Sequence, residues 1–409
     1  MAAADDPEAA VAALLAPLPP GRAVGVAVSG GSDSTALLLA AHLWARGRGV
    51  ALRAATCDHG LRPEAAAEAR AVAARAAALG VPHATLPLRL RPGPAAQARA
   101  RAARYDALGA WAAGGGVDVV LLGHTADDVA ETLLMRLRRG VGVGGLARMR
   151  EGWRDGRGIG WGRPLLALPR EALRLWLRAR GEGWIDDPSN DDPRHERART
   201  RRALAALGWD AAPLARAAAA LREADDALAR RAAALEDELV VEGGDVAIPA
   251  PLTLRLRSGE PETLRRLVAG AVRWIGGRPP RGAALGDALA APGRRTLAGC
   301  TVAPRGGALR IGREAAACPP PVPWGEPWDR WTLRGPGGPD LAVGALGSDV
   351  DRVPWRDGGL PRPSAMATPA VRRGPELVAA PLAGLPNGYD AAPTRPLSAT
   401  LRPPPPLFR

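Results

Sequence analysis

Ser29-Gly30-Gly31-Ser32-Asp33-Ser34 follows an apolar run (Val24, Val26, Ala27, Val28) and precedes a helix-forming stretch from Thr35 to Leu43. Strand, glycine turn and helix in that order aim backbone N–H groups and the positive end of a helix at one point, which suits a phosphate. The loop is not of the Gly-x4-Gly-Lys-Ser/Thr type, because the chain contains no lysine. It also lacks the three spaced glycines of a dinucleotide fingerprint. An ordinary glycine turn in an α/β fold is the plainer alternative.

Working outward, the first 200 or so residues alternate apolar runs with alanine-rich helical stretches. Strands are expected over Ala23–Val28, Leu52–Cys57, His83–Leu88, Val117–Leu122 and, more weakly, Gly158–Trp161. Helices are expected over Asp33–Ala45, Pro63–Leu79, Ala95–Ala113, Ala126–Arg138 and Pro169–Arg180. This alternation predicts a doubly wound, mainly parallel sheet. Ligands of such sheets bind beyond the carboxyl ends of the strands. The hexapeptide, Asp58-His59 and Gly123-His124 each follow a strand, so all three belong on one rim.

Beyond Gly208 a long helix is expected over residues 211–238, a strand over Val240–Ile248, a helix over Pro261–Ile275 and a hairpin over Thr296–Arg313 turning at Gly306-Gly307. From Cys318 onward proline and glycine rise, which suits either a small β-rich domain or irregular chain. The expected division is residues 1–205 for an α/β catalytic domain, 206–315 for a helical domain and 316–409 for the Pro/Gly-rich remainder.

Net charge is +13, carried entirely by arginine on the positive side. That suits a polyanionic partner, although a bias replacing every lysine by arginine gives the same sum. Three scattered cysteines, Cys57, Cys300 and Cys318, form no Cys-x-x-Cys pair, which argues against a zinc or iron–sulfur site and for a reducing cytoplasm. Asp5, Asp6 and Glu8 stand where a signal peptide would be positive, and no apolar run is long enough to span a bilayer. The expected location is cytoplasmic, without membrane attachment.

Several constellations carry chemistry. A helix starting near Thr125 places His124, Asp127 or Asp128, and Glu131 on one face, with Thr125 as N-cap and Asp128 as its capping partner. Those carboxylates serve either the helix dipole or, beside a triphosphate, Mg²⁺ or a cationic substrate. Asp58-His59-Gly60-Leu61-Arg62 reads equally as a turn or as a contact of His59 or Arg62 with ATP or a second substrate. Arg101, Arg104 and Tyr105 suit a solvated face or a stacking surface. Arg136 and Arg139 lead into the glycines Gly140, Gly142, Gly144 and Gly145. After Asp186-Asp187-Pro188-Ser189-Asn190 come Arg194, Arg197, Arg199, Arg201 and Arg202, the densest basic run, which reads as a contact to a phosphate backbone.

Taken in order, Ser29 to Ser34, Asp58 to Arg62, Arg104-Tyr105, Gly123-His124-x3-Asp128-x2-Glu131-Thr132, Arg136-Leu137-x-Arg139-Gly140, Gly145-Leu146, Arg163-Pro164-Leu165-Leu166 and Asp187-Pro188-Ser189-Asn190 resemble the tRNA(Ile)-lysidine synthetase family, in the PP-loop ATP pyrophosphatase superfamily. The match covers about residues 20–202, with weaker echoes at Thr296-Leu297-x-Gly299-Cys300 and Arg313-Glu314. Ala198 after Arg197 departs from the asparagine usual in the family. The resemblance implies a ligase that adenylates C2 of the wobble cytidine of CAU-anticodon tRNA(Ile) with ATP and Mg²⁺, then joins free L-lysine there to make lysidine.

It implies nucleotide contacts by Ser29, Gly30, Gly31, Ser32, Asp33, Ser34, His59 and Gly123, and catalysis by Asp33, His124, Asp127, Asp128 and Glu131. It further implies metal binding by Asp33 and Asp128, and tRNA contacts by Arg104, Arg136, Arg139, Arg194, Arg197 and Arg199. A homodimer is one possible assembly. The rivals are a tRNA thiolase, which would want paired cysteines, and a non-catalytic RNA-binding relative with a decayed ATP fold.

Overall fold

A computed structural model of the chain describes residues 6–58, 64–88, 96–147, 149–186, 192–291, 293–403 and 407–408. It divides into two compact units, Met1–Asp225 with Pro404–Arg409, and Asp226–Pro403.

The first unit runs α1 (Pro7–Leu15), β1 (Ala23–Ala27), α2 (Ser32–Ala45), β2 (Ala51–Asp58), α3 (Glu64–Ala78), β3 (His83–Pro87), α4 (Ala96–Gly114), β4 (Val119–Leu122), α5 (Ala126–Leu137), α6 (Val143–Leu146), β5 (Gly152–Arg154), β6 (Gly160–Gly162), α7 (Arg170–Arg178) and α8 (Glu196–Ala206), with α9 (Ala211–Ala233) beginning in it. Its sheet has the order β3-β2-β1-β4-β6-β5, parallel except for the β5–β6 pair. Val24 pairs with Leu52 on one side and Val119 on the other, so β1 is central.

Alternation along β4 feeds two layers. Val119 and Leu121 join Leu37, Leu38, Leu173, Trp176 and Leu177 of α2 and α7 in one core cluster. Val120 and Leu122 join Leu108, Ala112 and Trp161 in another. Each fully buried side chain of this kind stabilises the fold by about 2 kcal/mol, as an upper bound. The core therefore fixes where β1 and β4 end, and with them the loops they carry.

Two features were not expected. Asp6 accepts a hydrogen bond from the Glu8 N–H at 3.1 Å and Pro7 occupies the first turn, so a capped helix α1 forms and buries Val11 and Leu15. The weak strand signal at Gly158–Trp161 resolves into the β5–β6 hairpin. A Cβ on Gly152 or Gly160 would stand 2.8 Å from the Leu407 side chain, and one on Gly162 2.7 Å from Leu14. Glycine is there to admit neighbouring leucines, which is why the strand reads faintly.

The second unit contains β7 (Val240–Glu242), β8 (Asp245–Ile248), α10 (Ala250–Gly259), α11 (Pro261–Gly276), α12 (Gly282–Ala290), β9 (Arg295–Leu297), β10 (Cys300–Arg305) and β11 (Ala308–Arg313). The single strand expected over Val240–Ile248 is instead a hairpin, because Gly243 and Gly244 adopt φ values of +53° and +88° and turn the chain. The hairpin at Gly306-Gly307 forms as expected between β10 and β11, within an antiparallel sheet of order β7-β8-β11-β10-β9.

The Pro/Gly-rich remainder is β-rich. It has β12 (Val322–Pro323), β13 (Trp331–Arg334), β14 (Leu341–Ala345), β15 (Pro369–Arg373), β16 (Glu376–Ala379) and β17 (Asp390–Pro393) in two antiparallel sheets. Polar bonds tie it to the preceding part of the same unit: Asp245 accepts from Ser364 Oγ at 2.5 Å, and Arg313 Nη2 donates to Asp329 Oδ1 at 3.0 Å. Among the described residues, no helix is long and apolar enough to cross a membrane.

Candidate active site

The loop from β1 to α2 is held open by its own hydrogen bonds. Gly30 has φ +89°, and a Cβ there would stand 2.8 Å from the Ile185 side chain, so only glycine fits. Its carbonyl accepts from the Ile185 N–H at 2.9 Å and from Thr35 Oγ1 at 3.2 Å. Gly31 is the extended residue before α2, and no side chain caps that helix end. Ser34 Oγ accepts from the Ser29 N–H at 3.1 Å and lies 3.2 Å from Ser29 Oγ. Ser32 Oγ donates to Asp33 Oδ1 at 2.9 Å. The result is an uncapped helix N-terminus behind a short polar loop, a ready anion site.

The second loop sits directly against the first. A Cβ on Gly123, at the end of β4, would stand 3.1 Å from Ser34 Cα and N. The convergence expected of the hexapeptide and Gly123-His124 is therefore a backbone contact. Helix α5 starts here with the expected capping box: Asp128 Oδ2 accepts from the Thr125 N–H at 3.0 Å and from Thr125 Oγ1 at 3.3 Å. Capping uses one oxygen of Asp128 and leaves Oδ1 for another partner.

Those partners are arginines distant in sequence. Arg170 Nε donates to Asp33 Oδ2 at 2.9 Å, and the Arg170 N–H donates to Asp127 Oδ2 at 2.8 Å, so Asp127 also caps α7. Arg197 Nη1 donates to Asp128 Oδ1 at 3.3 Å, and Arg201 Nε to Glu131 Oε1 at 2.9 Å. Glu131 is only 1% exposed, and its second oxygen, Oε2, is buried with no hydrogen-bond partner.

The charge states follow. Burial raises the Asp33 pKa above the ordinary carboxylate value, with Arg170 opposing it. Burial also raises Glu131, against Arg201. For Asp128 burial acts in the same direction, but interaction with His124, the Arg197 and Arg170 charges and the Thr125 N–H outweigh it and hold the carboxyl below its ordinary value. Burial works against the Arg170 charge, yet Asp33, Asp128 and Asp127 hold its pKa above the usual arginine value.

His124 belongs to a different neighbourhood. Its Nδ1 accepts from Arg163 Nε at 3.1 Å. Arg163 also donates to the Arg150 carbonyl at 2.9 Å and to the Tyr105 hydroxyl at 3.2 Å, and its guanidinium lies 4.3 Å from the Trp153 ring centroid. Trp153 stacks on Trp161, with Tyr105 tilted against both. Burial pushes the His124 imidazole down to about 3; Asp128 opposes the shift and Arg163 adds to it. Near pH 7 the ring is neutral, and a donor at Nδ1 leaves the hydrogen on Nε2.

Of the basic residues, Arg194 is exposed and paired with Asp192 through bonds of 2.5–3.1 Å. Arg199 is exposed and donates to the Pro193 and Arg194 carbonyls at 2.8 and 2.9 Å. Arg104 is exposed on α4, Arg136 holds the Gly145 carbonyl, and Arg139 pairs with Glu196. Arg197 turns inward to Asp128, unlike the outward pose expected of it. His59 and Asp187-Pro188-Ser189-Asn190 lie outside the described residues. Sequence reasoning missed Arg170 and gave Arg163 no role of its own; the only signals were a position after a first-turn proline and membership of the Arg163-Pro164 motif.

The residues fit ATP and Mg²⁺. The loop is a glycine-lined cradle against a bare helix end. Among the described residues, no group of three or more His, Cys, Asp or Glu forms a metal cage. Mg²⁺ bound with nucleotide needs only one or two carboxylates plus phosphate oxygens, which Asp33 and Asp128 can supply.

A family model described as a PP-loop domain matches residues 5–207. A tRNA(Ile)-lysidine synthase of Ruegeria pomeroyi is 46% identical over 387 residues, covering 91% of each chain. Its counterpart in Bradyrhizobium diazoefficiens is 41% identical over 307 residues, covering 71% of this chain and 84% of that one. A solved U34-tRNA thiolase NcsA from Methanococcus maripaludis, with its [4Fe-4S] cluster, is 16% identical, covering 53% of this chain and 78% of that one at a TM-score of 0.45.

Proposed function

We propose, because this chain belongs to the tRNA(Ile)-lysidine synthase family, that it joins free L-lysine to C2 of the wobble cytidine of CAU-anticodon tRNA(Ile) at the expense of ATP. The observation that carries the mechanism is the contact of Gly123 with the Ser34 backbone, which sets the phosphate loop and the acidic helix α5 on one rim.

The N–H groups of the loop and of the uncapped first turn of α2 would receive the phosphates of ATP. Ser29, Gly30, Gly31, Ser32 and Ser34 form the cradle and Gly123 its far wall, with His59 assigned to the nucleotide as well. Asp33 and Asp128 would hold Mg²⁺, which would supply positive charge for the departing pyrophosphate. The cytosine O2 attacks the α-phosphate, the α–β bond breaks, and pyrophosphate leaves. His124, neutral and with Nδ1 taken by Arg163, is not suited to accept a proton in this step.

In the second half-reaction the lysine Nε–C2 bond forms and the C2–O bond to AMP breaks. The ε-ammonium must first lose a proton. Glu131 is suited to accept it, because its carboxylate is buried, its pKa is raised, and Oε2 has no partner. Asp127 contributes negative charge beside it. The exposed arginines Arg104, Arg139, Arg194 and Arg199, with Arg136, hold tRNA phosphates, while Arg197 stays with Asp128.

Incubation with ATP, Mg²⁺, radiolabelled lysine and CAU-anticodon tRNA(Ile) tests this reading. Label is expected in the tRNA, and only when ATP is present. Absence of label, with sulfur incorporated from a sulfide donor instead, would establish the thiolase reading.

A further inference from the structure

Three acidic groups of the rim, Asp33, Asp127 and Asp128, converge on one residue that the proposed function leaves unused. Arg170 gives its Nε to Asp33 Oδ2 at 2.9 Å and its backbone N–H to Asp127 Oδ2 at 2.8 Å, and its Nη2 lies 3.9 Å from Asp128 Oδ2. The side chains concerned are 18% exposed for Arg170, 17% for Asp33 and 11% for Asp128, so water does little to screen them. The backbone bond pins the first residue of α7, leaving the guanidinium to move about a fixed point. One guanidinium thus spans the two carboxylates assigned to the metal.

A divalent ion on Asp33 Oδ2 and Asp128 Oδ2 would stand against the Arg170 guanidinium, and two cations on the same oxygens repel each other. In the free protein the position is already neutralised, so a metal arriving alone gains little and must strand a cation beside itself. Nucleotide changes the balance, because its phosphates bring anionic oxygens to the uncapped start of α2, next to Asp33.

We propose that Arg170 is a built-in counter-cation that closes the metal position until nucleotide arrives: a divalent ion takes Asp33 and Asp128 only as Arg170 leaves them for the phosphates. The inference rests on assigning Mg²⁺ to those two carboxylates. It makes metal and nucleotide mutually dependent ligands, each strengthening the other by the same factor.

The test is Mn²⁺ binding followed by electron paramagnetic resonance, with and without α,β-methylene ATP, in the wild type and in Arg170→Gln. The wild type is expected to bind Mn²⁺ weakly alone and at least about tenfold more tightly with the analogue. In Arg170→Gln, Mn²⁺ alone binds about tenfold more tightly than to the wild type, and the gain from the analogue shrinks. Unchanged or weaker Mn²⁺ binding by a folded Arg170→Gln, beside intact coupling, would overturn the inference and leave the metal assignment standing. A wild type that binds no Mn²⁺ even with the analogue would instead remove the metal assignment.

A second measurement needs no variant. The Arg170 Nε–H resonance of the wild type is expected to move when Mg²⁺ and the analogue are present together and to stay in place with Mg²⁺ alone. A resonance unmoved by the pair would also refute the inference.

Discussion

The two halves of the rim are built in opposite ways. The phosphate loop satisfies its hydroxyls within itself: Ser29, Ser34, Ser32 and Asp33 bond one another within five residues. The acidic helix α5 is neutralised from far away, Asp128 by Arg197 69 residues on and Glu131 by Arg201 70 residues on. Asp33 joins the two halves, since Arg170, its partner, is 137 residues distant. A loop wired locally keeps its shape wherever the strand and helix are in place. A carboxylate wired through long-range arginines depends on the packing of α7 and α8, and its partners are themselves cations that a phosphate can attract.

The largest expected effect lies where the halves meet. Asp33→Ala should lower ATP–pyrophosphate exchange by about a thousandfold, because it removes the carboxylate proposed to hold the metal at the departing phosphates. Near-normal exchange would confine Asp33 to its ion pair. Glu131→Gln keeps the shape and removes the charge. It should weaken the lysine-dependent step about a hundredfold or more while exchange survives; equal loss in both steps would mean that Glu131 only anchors α8.

His124 separates the halves by pH. Its folded pKa, about 3, lies below the unfolded value of 6.5. The unfolded state therefore binds the extra proton, and stability falls as pH drops from 6.5 toward 3, at up to about 1.4 kcal/mol per pH unit. Urea midpoints of His124→Gln should fall less over that window than those of the wild type; parallel curves would show an imidazole that titrates normally.

Thr125→Ala removes one side of the capping box and should cost about 1 kcal/mol, read as a denaturation midpoint, with exchange retained. Smallest is Arg199→Ala, which should flatten the salt dependence of tRNA binding by about one phosphate's worth. Arg197, held by Asp128, should change turnover more than slope. Equal slopes for both variants would erase the distinction between inward and outward arginines.

This contrast also explains what the sequence revealed. The strand–loop–helix, the capping box and the doubly wound sheet were legible because each rests on neighbours: a glycine turn, a Thr-x-x-Asp spacing, alternating apolar runs. Arg170 was not, because its role comes from three carboxylates that only folding assembles. The inward turn of Arg197 and Arg201 was hidden too, since a run of arginines looks the same whether it faces solvent or a buried helix. Gly160 and Gly162 obscured a strand because their purpose is to admit Leu407, Leu14 and Leu121. The Val240–Ile248 stretch was misread where two glycines, which interrupt a strand pattern, made a turn.

The most direct measurement is the mass of the wobble nucleoside. The tRNA is incubated with enzyme, ATP, Mg²⁺ and lysine, digested, and its nucleosides weighed. Cytidine at the wobble position is expected to be replaced by cytidine plus lysine less one water, only when both ATP and lysine are supplied. An unmodified cytidine, or a thiolated one, would contradict it.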